Sequence, residues 1–150
     1  MTLTEGINFF EDLTTKSDEK SEIKIYSLFI FILKDLINKE LSEKQYQNIE
    51  NELDRLELKT IPENKKKYFR KKLRVFKQYL QTEFSFITEG YYMAIGMSLG
   101  MSFGIVFGTS FSKTFGISIG LSMGMLIGIV IGSQMDAKAK REGRVLRTKI

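Results

Sequence analysis

The chain has 150 residues, with 23 Lys and Arg against 18 Asp and Glu, 43% hydrophobic residues, a single Pro, and no Cys, His or Trp. Without Cys there are no disulfides, no thiol catalysis and no cysteine-ligated zinc, and without His there is no Ser-His-Asp or Cys-His enzyme. The length suits one modest domain, or a small domain joined to a membrane element, and the charge pattern favours the second.

Residues 1–58 carry 7 basic and 13 acidic side chains, and residues 59–77 carry 9 basic and one acidic. Between Thr88 and Asp136 the only charges are Glu89, Lys113 and Asp136. A polar half therefore precedes a lipid-compatible half. The expected fold is all-α: a small N-terminal helical bundle over residues 1–87, a two-helix transmembrane glycine-zipper hairpin over 88–135, and a basic tail over 136–150.

In chain order, a short piece around Gly6–Leu13, with Ile7, Phe9, Phe10 and Leu13, can pack on the bundle. A helix is predicted over Asp18–Glu40, with Ser17 as its N-cap and acids in its first turn. Its centre, Ile25 to Leu33, is apolar nearly all round but too short to span a bilayer, so it suits the middle of a bundle. Leu41-Ser42-Glu-Lys-Gln45-Tyr46 then combines a capping box, Ser42 with Gln45, and a hydrophobic staple, Leu41 against Tyr46. The helix it opens, 43–58, lines up Tyr46, Ile49, Leu53 and Leu56 on one stripe. Thr60-Ile-Pro62-Glu63 reads as another capping box with Pro in the first turn, starting a helix over 62–87. Phe69, Leu73, Phe76, Leu80, Phe84 and Ile87 form its apolar stripe. No breaker precedes Gly90, so this helix is expected to run almost straight into the first apolar run.

Two uncharged runs come next, 91–112 and 114–135, each long enough to cross a hydrocarbon core of about 30 Å. A tight link at about 112–115 holds Lys113. Glycine recurs every fourth residue, at Gly96, Gly100, Gly104 and Gly108, then at Gly116, Gly120, Gly124, Gly128 and Gly132. Such a stripe lets two helix backbones approach closely, serving helix packing or oligomerisation. The halves repeat: Gly96-x-Ser98-x-Gly100 matches Gly120-x-Ser122-x-Gly124. Ser98, Ser102, Ser110, Ser118 and Ser122 lie about 200° round the helix from a glycine. They form either a weakly polar second face, open to a neighbour or a wet lumen, or hydroxyls bonded back to their own helices. Gly-x-Ser-x-Gly spells the hydrolase elbow, but the His and the strand it needs are missing. Helices apolar on all sides are buried or in membrane, and the remaining residues are too few to bury both. A soluble assembly of hairpins burying one another is the other possibility.

The helix before the hairpin carries Lys65, Lys66, Lys67, Arg70, Lys71, Lys72, Arg74 and Lys77. Anionic lipid headgroups are one fit, because the cluster precedes a membrane span. Ion pairing with the acidic first 58 residues is an equal one. Nucleic acid fits least, because no binding motif accompanies the cluster and its aromatics fall on the apolar stripe. Basic residues flank both outer ends of the hairpin, so both termini are expected in the cytoplasm. The start, Met1-Thr-Leu-Thr-Glu, has no signal-peptide pattern, and the hairpin itself is expected to direct insertion.

Ile87-Thr-Glu-Gly-Tyr-Tyr-Met-Ala-Ile-Gly-Met-Ser-Leu-Gly, the two glycine repeats, and Met135-Asp-Ala-Lys-Ala-Lys-Arg-Glu-Gly-Arg-Val-Leu146 resemble bacterial glycine-zipper family proteins over about residues 84–146. The resemblance implies a bacterial inner-membrane protein that self-associates; it brings no catalytic residues and no cofactor. Two functions are expected. One is a homo-oligomer assembled through the glycines, acting as a narrow or gated pore or as a membrane effector. The other is a passive membrane-anchored scaffold whose helical module binds a cytoplasmic protein or anionic lipid.

Overall fold

The computed structural model describes residues 1–60, 62–111 and 115–148, and among these the fold is all-α apart from two strands of two residues each. Six helices run in order: α1 (Leu3–Lys16), α2 (Lys20–Ile37), α3 (Glu43–Arg55), α4 (Lys65–Phe84), α5 (Tyr91–Phe111) and α6 (Gly116–Arg141). Strand β1 (Ile87–Thr88) precedes α5, and β2 (Val145–Leu146), which pairs with it, comes after α6. The chain divides into two units, Met1–Ile87 with the last residues from Leu146, and Thr88–Val145. The predicted separate tail over 136–150 is thus corrected. Asp136–Arg141 continues α6, and Leu146 is a core residue of the first unit, 1% exposed.

The first unit is built on aromatic contacts between α1, α2 and α4. Phe10 of α1 stacks on Phe29 of α2 with ring centroids 4.3 Å apart, and Phe69 of α4 meets Tyr26 edge-on at 5.3 Å. Phe10, Phe29, Ile32, Leu33, Leu36, Phe69, Phe76 and Leu80 are wholly buried, so α2 is the middle of the bundle. Each such side chain contributes about 1.5–3 kcal/mol of transfer free energy. Gly6 lets α1 come close: a Cβ there would lie 3.0 Å from Leu33 Cδ1.

The capping chemistry sets most boundaries, in two places differently from the sequence expectation. Ser42 and Gln45 form the expected reciprocal box at the start of α3. The same device opens α1, where Thr2 accepts from the Glu5 amide and Glu5 from the Thr2 amide, and it extends the short predicted piece to a 14-residue helix. Ser17 does not cap α2. It is extended at the end of α1, and its hydroxyl donates to the Glu22 carboxylate at 2.9 Å, while α2 begins two residues later than predicted. Nor does a box at Thr60–Glu63 open α4. Pro62 and Glu63 precede the helix, Asn64 accepts from the Lys67 amide at 3.0 Å, and Ile61 lies outside the described residues.

The expectation that the third helix runs on into the first apolar run is also corrected. Helix α4 stops at Phe84 because Ser85 is left-handed (φ 55), with the Phe86 amide turned back onto the Leu80 carbonyl at 3.1 Å. That turn lets Phe86 and Ile87 enter buried positions. Gly90, at φ 76, supplies the second turn just before α5.

Candidate functional site

Helices α5 and α6 are long and apolar enough to cross a membrane, by length and composition. The link predicted at 112–115 with Lys113 lies, except for Phe115, outside the described residues. The two helices pack antiparallel with the glycines of one against those of the other. Gly96 meets Gly128, Gly100 meets Gly124, Gly104 meets Gly120, and Gly108 meets Gly116. A Cβ on Gly100 would overlap the Gly124 carbonyl oxygen and lie 2.8 Å from its carbonyl carbon and 3.2 Å from Gly128 Cα. The neighbours are rigid backbone, so nothing along the seam can give way. Backbones this close exchange Cα–H···O contacts and dispersion over their whole length, which offsets the weak helix propensity of glycine.

Gly132 continues the seam against the carbonyl of Tyr92. One turn further along α6 stands Asp136, in the position the next glycine would occupy. Its two carboxylate oxygens accept from the amides of Tyr92 and Met93, at 3.0 and 2.9 Å. These are free N–H groups in the first turn of α5, so one helix caps the other with a charge that also suits its dipole. In the sequence Asp136 is a lone charge with no evident role. The signal that could have revealed one is its place in the every-fourth-residue series. Asp136→Ala should cost about 1–2 kcal/mol and speed amide exchange at Tyr92 and Met93, while Asp136→Asn keeps most of the cap. Nearby, Arg144 donates to the Glu142 carboxylate, which holds that carboxyl below its ordinary range and raises the guanidinium above its own.

The serines lie on the outside of the hairpin. Ser98 donates to the Ala94 carbonyl at 2.9 Å, Ser102 to Ser98 at 3.0 Å, Ser110 to Val106 at 3.3 Å and Ser122 to Ser118 at 2.9 Å; Ser118 is exposed. The hydroxyl protons of the four donors are thus spent on their own helices. The rest of the surface is apolar: Phe103, Val106, Phe107, Met123 and Leu126 are 61–65% exposed. On one side, Leu99, Phe103, Phe107, Ile119, Met123 and Ile127 wall a groove of about 800 Å3 with the glycines as its floor.

The basic residues of α4 divide by environment. Lys66 pairs with Glu19 at 3.2 Å, Lys72 sits over the Tyr68 ring at 5.1 Å, and Lys65 is half-buried. Lys77 is half-buried too, and that burial lowers its amine below the usual lysine range. Lys67, Arg70, Lys71 and Arg74 are exposed. Among the described residues, no group of three or more carboxylates is placed to hold a metal ion. Compared with protein families, curated proteins and solved structures, the chain matches none.

Proposed function

We propose that the chain is a small integral membrane protein whose α5–α6 hairpin anchors the helical module of residues 1–87 to one side of a bilayer. The observation that carries this is the pairing of a closed backbone seam with an outer surface that is apolar apart from serine and threonine hydroxyls, several of them bonded to their own helices. Side chains such as Phe103 and Phe107, more than half exposed, make a contiguous apolar surface far larger than a soluble monomer tolerates. Lipid covers such a surface at no cost to the fold. Helix α5, with 21 residues, measures about 31 Å, close to the hydrocarbon thickness.

Both ends of the hairpin return to the same module, because Ile87 and Leu146 are buried residues of the first unit. That connectivity supports two crossings rather than one. The cations that flank the hairpin, on α4 and at Lys138, Lys140, Arg141, Arg144 and Arg147, put the module and both termini in the cytoplasm. The glycine-zipper resemblance read from the sequence favours a bacterial inner membrane as that bilayer. The module is then the part that meets a cytoplasmic partner, and no cofactor is needed.

A second reading, self-assembly of hairpins into a narrow or gated pore or a membrane effector, draws on the apolar groove, which is shaped for another helix. It is the weaker one. The glycines already serve the hairpin, and the hydroxyls of Ser98, Ser102 and Ser122 are bonded within their helices, which leaves little to line a polar pathway.

The test is flotation of the full chain with liposomes and then an alkaline carbonate wash. The anchor reading expects the chain to stay with the lipid and the liposomes to hold an ion gradient. Leu99→Lys with Met123→Lys should shift it to the extractable fraction, since each lysine near a span centre costs about 2.5–3.5 kcal/mol. Release of the unaltered chain by carbonate would overturn the membrane reading, and a collapsed gradient would favour the pore.

A further inference from the structure

Several carboxylates of the module pair with cations outside α4. Asp12 pairs with Lys16 at 2.6 Å, Glu11 with Lys34 at 2.8 Å, and Asp35 with both Lys39 and Arg147 at 3.6 and 3.9 Å. On α4 only Lys66 has a carboxylate partner among the described residues. Lys67, Arg70, Lys71 and Arg74 are exposed and keep the i, i+3, i+4, i+7 spacing of a single helix face. That face is about 10 Å long. It cannot rotate away, because Phe69, Leu73, Phe76 and Leu80 on the opposite side are locked in the core.

We propose that the face formed by Lys67, Arg70, Lys71 and Arg74 docks on anionic phospholipid headgroups of the membrane that holds the hairpin. The proposal rests on the anchor reading. Six residues, 85–90, join the end of α4 to the start of α5, a reach of at most about 25 Å. The stretch of α4 between the face and Phe84 adds about 15–26 Å, and a tether of that combined length still holds the face near a bilayer at an effective concentration in the millimolar range. Four separate cations suit headgroups that diffuse laterally and need no fixed geometry. A nucleic-acid face would set exposed aromatics among the cations for base stacking. Here Phe69 and Phe76 are buried and Tyr68 lies under Lys72.

The chain has no cysteine, so Gln78→Cys, exposed on the same helix face, gives one labelling site on the full protein. A fluorophore there is read against headgroup-nitroxide quencher in liposomes of phosphatidylcholine with and without phosphatidylglycerol. The expected result is strong quenching only with phosphatidylglycerol, lost at high salt. Each cation removed should weaken docking about fivefold, and replacing all four with Gln about 600-fold. Equal quenching in phosphatidylcholine alone, or no change in the four-Gln variant, would overturn the proposal. Withdrawal of the label by a DNA duplex at physiological salt would overturn it in favour of nucleic acid. Flotation of the same samples separates the two levels. A chain that floats but is not quenched refutes docking alone, and one that fails to float refutes the anchor reading and docking with it.

Discussion

Gly100→Ala or Gly124→Ala should force α5 and α6 apart, at a cost of about 2–4 kcal/mol in hairpin packing. Two effects of opposite sign compete. In a lone helix the change favours the fold by about 1 kcal/mol, because alanine is the better helix former. In the hairpin the new methyl meets the opposite carbonyl, with the Gly128 Cα or the Gly104 Cα close behind, and all of these are backbone. Separation loses close contact along several turns, so the packing loss wins. A fall in the thermal midpoint in detergent with helicity unchanged is the expected signature. Ser98→Ala, on the outer face, should stay within about 0.5 kcal/mol of the unaltered chain.

Phe29→Ala should be the most damaging single change in the helical module. Phe29 is fully buried, stacks on Phe10 at 4.3 Å and faces Phe76 at 6.3 Å, so truncation leaves a cavity lined by rings on separate helices. The expected cost is about 3–5 kcal/mol. A module of this size has only about 5–13 kcal/mol to lose. The urea midpoint of the full chain, tracked by tyrosine fluorescence, should fall steeply for Phe29→Ala. It should barely move for Val75→Ala, because Val75 is 39% exposed.

What the sequence disclosed depends on whether the determinant is local. The Ser42–Gln45 box is a local device and marks α3 correctly, and Thr2–Glu5 carries the same pattern for α1. Ser17 misleads because one residue can end a helix as readily as begin one; here it closes α1 and reaches Glu22. The end of α4 was not legible. Ser85 has no preference for a left-handed backbone, and it is the burial of Phe86 and Ile87 that turns the chain there. The lipid-compatible runs were legible from charge alone. Charge marks where apolar surface ends, however, and not where a helix ends, so α6 continues through Asp136 to Arg141.

The glycine stripes themselves were plain in the sequence, but their partner was not. A small-residue seam serves an intrachain hairpin and an interchain contact equally well, and periodicity does not choose between them. In the single chain the antiparallel register sets Gly96 against Gly128 and Gly108 against Gly116, a pairing that no spacing in the sequence specifies. The direction of the serine hydroxyls was likewise not legible; those of Ser98 and Ser122 donate to the carbonyl one turn back. Asp136 shows the opposite case, a polar residue whose meaning emerges only when the helix it caps lies beside it.

The most direct test of the central claim, that the glycine seam closes within one chain in the membrane, is a distance between spin labels at Ser98→Cys and Leu126→Cys in liposomes. Both positions are exposed on the outer surface of the hairpin, on opposite helices at the same level. A closed hairpin predicts one separation of about 20–30 Å, roughly two helix diameters plus the labels. It should survive unchanged when the labelled chain is diluted with an excess of unlabelled chain. A separation that vanishes on dilution would mean that the stripes meet between chains, and the closed-anchor account would be wrong.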